Sequence, residues 1–120
     1  MSEKTCLAVG INHYSWAPVL KCAVSDAQEV AAALAMQEYS FDVETLLDDE
    51  ATTEALGKAI VKLFDGNARL KLAYFSGHGY SDDRGAYLCV PQGSHDAPGI
   101  SLGWLKQAIE PGFFVEYLSH

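Results

Sequence analysis

The chain is short of basic residues. Eight lysines and arginines face sixteen aspartates and glutamates, for a net charge of −8 and a pI near 4.7. A surface of that sign repels phosphate backbones and anionic lipid, so neither nucleic acid nor a membrane is an expected partner. Proline is scarce, at 4, beside 10 glycines, which excludes collagen-like and low-complexity chains. No apolar run approaches the roughly 18 residues that a bilayer span needs. The opening Met1-Ser2-Glu3-Lys4-Thr5 lacks a basic stretch running into a long apolar one, so no secretory signal is expected. Cysteine is limited to Cys6, Cys22 and Cys89. The count is odd, and no two sit at metal-ligand or redox spacing. Cys6 and Cys89 lie in apolar stretches, where a thiol acts as a small buried hydrophobe. A reduced, cytoplasmic setting fits this usage.

What is present suits one folded domain covering residues 1–120. Hydrophobic residues make up 49% of the 120 positions, with 13 aromatics, too many for a disordered segment. The charge is uneven. Residues 1–60 hold 10 acids and 3 bases, residues 61–120 hold 6 acids and 5 bases. An acidic half is either a solvated surface or a preference for a cationic substrate.

Strands and helices alternate along the chain. Cys6-Leu7-Ala8-Val9-Gly10-Ile11 reads as a buried strand. A loop from Asn12 to Cys22 follows. Ser25 and Gln28 then form a capping box for a helix over about 25–37, with Ala27, Val30, Ala31 and Leu34 on its apolar face. Residues 41–47 alternate as a second strand and end in Asp48-Asp49-Glu50. Thr52 caps a second helix with Leu56, Ala59, Ile60, Leu63 and Phe64 on its stripe, and Gly66 or Asn67 in a left-handed conformation ends it. Residues 70–76 form a third, central strand, and 86–91 a short strand or hairpin arm. Ser101 caps a third helix bearing Leu102, Leu105, Ala108 and Ile109. Pro111-Gly112 stops it, and 113–118 is a fourth parallel strand. The order predicts an α/β fold: a mainly parallel sheet with helices on both faces.

In such sheets ligands bind beyond the carboxyl ends of the strands. Three places qualify: Gly10-Ile11-Asn12, Ser76-Gly77-His78-Gly79, and Ser119-His120. His78 stands out, because the glycines on either side let backbone and substrate approach closely. A neutral imidazole there is suited to general-base work near pH 7. His13 and His95 fall in loops and His120 is terminal, and no histidine has a partner at metal-ligand spacing. Neither GxxxxGKS/T nor a GxGxxG after the first strand occurs, so no nucleotide cradle is expected.

The segments 7–14, 21–34, 70–91 and 100–109, in that order, resemble the caspase-like cysteine peptidases (peptidase C14), in particular the bacterial metacaspase and orthocaspase branch. Ser76-Gly77-His78-Gly79 at the end of an apolar strand and Ser25-Asp26-Ala27 opening the first helix carry most of the likeness. The resemblance implies a caspase-like three-layer sandwich and a His-Cys endopeptidase that cuts after Arg or Lys. His78 would be the catalytic histidine. Gly79 would lend its backbone N–H to the oxyanion hole, a donor worth about 3–4 kcal/mol when aimed at developing charge. Asp26, with Asn12 on the same rim, would bind the basic substrate side chain through a charge-assisted contact. The family's nucleophile sits in an Asp-x-Cys-x-Ser-Gly type motif. Aligning Glu116 with its Asp puts Leu118 at the cysteine. The chain is thus expected to correspond to the first, large-subunit-like half of such a domain and to be inactive alone. A complementary C-terminal fragment or self-association would be its partner besides the peptide substrate. The alternative is a catalytically dead interaction or assembly module. No cofactor is called for. Because some metacaspases need calcium, Asp48-Asp49-Glu50 and Asp82-Asp83 are where the resemblance directs attention.

Overall fold

A computed structural model describes residues 3–108 and the strand at 118–119. Chain order runs β1 (Lys4–Gly10), α1 (Ala23–Ala35), β2 (Asp42–Leu47), α2 (Thr53–Asp65), β3 (Leu70–Gly77), β4 (Gly79–Asp82), β5 (Gly85–Cys89), β6 (Gly99–Ser101), α3 (Leu102–Ala108) and β7 (Leu118–Ser119). The expected α/β class holds, but the sheet divides in two. β2, β1, β3 and β7 lie side by side in that order, all parallel. β4, β5 and β6 form a separate antiparallel sheet of three strands. The correction has a local cause. Residues 79–89 double back through the turn at Asp83-Arg84, where Gly85 takes a φ of 124°. Two adjacent short strands joined this tightly can only pair antiparallel.

β1 lies at the centre of the parallel sheet and is buried on both faces. Leu7, Val9 and Ile11 face a core built with Leu56, Ala59, Ile60 and Leu63 of α2 and Leu105 of α3. Cys6, Ala8 and Gly10 alternate onto the other face, where α1 packs. Helices therefore cover both faces. Gly10 sets how close α1 comes. A Cβ there would stand 2.5 Å from the Ala23 carbonyl oxygen and 2.8 Å from the Ala27 Cβ, so only glycine admits this packing.

The helix caps divide into local and distant ones. Thr52 Oγ1 accepts from the Ala55 N–H at 3.0 Å, and Ser101 Oγ from the Trp104 N–H at 3.1 Å, as their spacing predicts. Ser25 does not cap α1. The helix begins two residues earlier, at Ala23, and Ser25 Oγ donates to the Cys22 carbonyl instead. The orphan Val24 N–H is met by Asn12 Oδ1 at 3.1 Å, from a residue twelve positions back. α2 ends without a left-handed residue, since Gly66 is extended at φ −70° and ψ 173°. Lys71 Nζ covers its Phe64 carbonyl at 2.8 Å. Of the expected fourth strand, residues 118 and 119 pair in parallel with Ser76 and Gly77. Ile109, Pro111-Gly112 and residues 113–117 lie outside the described residues. Among the described residues no helix is long and apolar enough to cross a membrane.

Gly10→Ala should lower the unfolding free energy by about 1–3 kcal/mol, the cost of overpacking a closed contact, while Gly85→Ala, with open space around its Cβ, acts only through its backbone conformation. Urea denaturation followed by circular dichroism checks it.

Candidate active site at the carboxyl ends of the strands

β1 and β3 end level with each other, Gly10 opposite Ser76. The chain beyond each end is then locked to the other strand. The Ile11 N–H donates to the Ser76 carbonyl at 3.0 Å. Tyr14, buried in the core, brings its hydroxyl back to accept the His78 N–H at 2.9 Å. Burial pushes the Tyr14 hydroxyl well above its ordinary pKa, against the lowering effect of the His78 bond, so it stays a neutral phenol. Gly77 makes the close approach possible: a Cβ there would meet the Tyr14 hydroxyl at 2.5 Å.

The His78 side chain is half-buried, and its ring is fixed twice. It stands edge-on to Tyr14, with centroids 4.8 Å apart and planes at 61°. Its Nε2 lies 2.8 Å from the Pro18 carbonyl oxygen. A carbonyl oxygen only accepts, so Nε2 must carry the proton. In the neutral ring the lone pair then belongs to Nδ1. The contact thereby defines which nitrogen of the neutral ring carries the lone pair.

Asn12 and Asp48 tie the next part of the rim. The Asp48 carboxylate accepts the Asn12 N–H at 2.7 Å and the His13 N–H at 3.2 Å, and lies 3.5 Å from His13 Nδ1. Asp48 holds a φ of 48° to do so, a left-handed conformation that aspartate tolerates better than most residues. Asn12 has its side-chain oxygen on the start of α1. Asp26 sits in the first turn of that helix, half-buried, its N–H on the Cys22 carbonyl at 2.8 Å. A carboxylate there is favoured by the helix dipole. Gly79 is exposed and opens β4 opposite Leu88.

A family model for the caspase domain matches residues 3–100, most of the chain. The chain belongs to the caspase-domain family. No curated protein matches it. The fold of this caspase domain brings His78, Gly79 and Asn12 to one rim and Asp26 to the helix that starts there. Sequence reasoning gave no role to Tyr14, Trp16 and Pro18, which set that rim, and considered Asp48 only as part of an acidic turn, not as the acceptor for the Asn12 and His13 N–H groups. The available signal was the crowding of Tyr14, Trp16 and Pro18 into the loop after the first strand, where this class of sheet binds its ligands.

The two acidic turns of the caspase domain are each tied to neighbouring groups. Asp48 is engaged as described. Asp82 is clasped by Arg84, whose Nη2 is 2.7 Å from Oδ2, and this pairing holds the Asp82 carboxyl below its ordinary range. Among the described residues no three His, Cys, Asp or Glu side chains converge on one point.

The three thiols differ. Cys6 and Cys89 are buried, and burial pushes each from 9.0 to about 11. Both are protonated near neutrality, the wrong state for nucleophilic attack. Cys22 is exposed, just before α1.

Iodoacetamide at pH 8 should therefore modify one thiol per folded chain, and Cys22→Ala should abolish that reaction, as read by mass spectrometry. The folded-state pKa values of Cys6 and Cys89 lie above the unfolded one, so their contribution is full below pH 9. Stability should then fall as pH rises from about 9 to about 11, by up to roughly 3 kcal/mol per thiol. Urea titrations across that window on wild type and Cys6→Ala/Cys89→Ala check the sign: the double variant should lose this part of the slope.

Proposed function

We propose that this caspase domain supplies the base half of a His-Cys endopeptidase that cleaves after Arg or Lys, with a nucleophile that is none of Cys6, Cys22 or Cys89. The observation that carries the reading is the Pro18 carbonyl on His78 Nε2. It leaves Nδ1 as the proton acceptor for a thiol presented from the neighbouring strand end, where β7 runs alongside Ser76 and Gly77. His78 would take the thiol proton, the thiolate would attack the scissile carbonyl, and the backbone N–H of Gly79 would receive the developing oxyanion. The imidazolium would then return its proton to the departing amine. Asp26, at the positive end of α1 on an acidic half of the chain, is the carboxylate for a basic substrate side chain. The buried, protonated state of Cys6 and Cys89 speaks against either of them as the nucleophile.

The purified chain should not hydrolyse fluorogenic Arg or Lys peptides. Mixing it with a C-terminal fragment that carries the family's Asp-x-Cys-x-Ser-Gly motif should restore turnover. His78→Ala should remove at least about 10²-fold of the restored rate, and Asp26→Asn should lower kcat/KM for Arg peptides about 10- to 100-fold. Turnover by the chain alone that is lost in Cys22→Ala or Ser119→Ala would contradict the reading and name the nucleophile.

A further inference from the structure

Apart from Gly79, which opens β4, the small antiparallel sheet takes no part in the chemistry just described, yet three consecutive residues from the end of β5 onward touch both halves of the site. The Cys89 N–H donates to the His78 carbonyl at 3.0 Å. The Val90 carbonyl accepts from the Trp16 indole Nε1–H at 3.2 Å. The Pro91 carbonyl accepts from both the Ser15 N–H at 2.9 Å and the Ser15 Oγ at 3.0 Å. One short run of backbone thus fixes the position of His78 and, two residues ahead of Pro18, the loop whose carbonyl holds the His78 ring. Val90 is itself pinned, its N–H on the Pro98 carbonyl at 3.0 Å.

The Trp16 ring has a seat of its own. It stands edge-on to Tyr80, at 5.9 Å between centroids, and to His95, at 5.1 Å; Tyr80 and His95 are 5.5 Å apart. The loop that carries His95 is drawn onto the β4–β5 hairpin by Arg84. Its Nη2 donates to the His95 carbonyl and its Nη1 to the Asp96 carbonyl, both at 2.6 Å, while Asp82 fixes the same guanidinium.

We infer that Trp16 is a positioning residue for His78: by anchoring to Val90 it sets the Pro18 carbonyl at bonding distance from Nε2, and so decides which ring nitrogen is basic. This rests on the reading of His78 as the base. It adds a function for the antiparallel sheet beyond the Gly79 N–H: the end of β5 acts as a fixed spacer between the two loops.

The test reads the tautomer, which a change in global stability does not move. The probe is a long-range ¹H–¹⁵N spectrum of the histidine rings of the full chain, recorded about two units above the ordinary histidine pKa of about 6.5. Wild-type His78 should be the Nε2–H form. Trp16→Phe keeps an aromatic ring and removes the indole donor. The ratio of Nε2–H to Nδ1–H at His78 should fall about fivefold, the size of one net hydrogen bond. Ser15→Ala should shift it in the same direction by less, and Trp104→Phe, on an exposed part of α3, should leave it unchanged. An unchanged ratio in folded Trp16→Phe overturns the inference while leaving His78 as base intact. Should Trp16→Phe fail to fold, an unchanged ratio in Ser15→Ala does the same. A wild type dominated by Nδ1–H defeats the base assignment and this inference together.

Discussion

One hydrogen bond joins residues sixty positions apart and turns this fold into a site: His78 Nε2–H to the Pro18 carbonyl. Everything around it serves to bring those two groups together. β1 and β3 must be adjacent, parallel and in register for Gly10 and Ser76 to end level. Gly10 must be glycine for α1 to start where it does and for the preceding loop to close. Tyr14 must be buried for its hydroxyl to reach the His78 backbone. The bond is modest in energy, about 1 kcal/mol net. Its consequence is chemical, since it leaves Nδ1 as the one basic atom of the ring.

The same geometry explains why Cys6 and Cys89 are unsuited to nucleophilic attack. Cys6 belongs to the central strand and Cys89 to the spacer sheet, and both are held protonated by burial. In the proposed mechanism the nucleophile beside His78 Nδ1 comes from the neighbouring strand end, where β7 pairs with Ser76 and Gly77.

Parts of this were legible in the sequence because they are local. Period-2 and period-3.6 patterns located β1, β2, β3, α1 and α2 to within a few residues, and the caps at Thr52 and Ser101 depend only on residues three positions away. His78 was visible through its flanking glycines and its place after a buried strand. The α1 cap was not, because Asn12 reaches it across a loop and displaces the nearer Ser25. Pro18 and Trp16 were invisible for the same reason: a carbonyl oxygen carries no side-chain signature, and an indole N–H finds its acceptor only after the hairpin has folded. The split into two sheets was hidden because the apolar run at 86–91 fits a hairpin arm as well as a strand of the main sheet. Only the pairing with Gly79–Asp82 decides. Charge left a cationic substrate as one of two readings beside a solvated surface, and Asp26 drew its proposed role from the family likeness.

The most direct measurement is a neutron or ultra-high-resolution X-ray structure of the chain in which the hydrogens on His78 are located. A proton on Nε2 aimed at the Pro18 carbonyl, with Nδ1 bare and facing the rim, is the predicted result. A proton on Nδ1, or a ring turned away from Pro18, would contradict the assignment of His78 as the base.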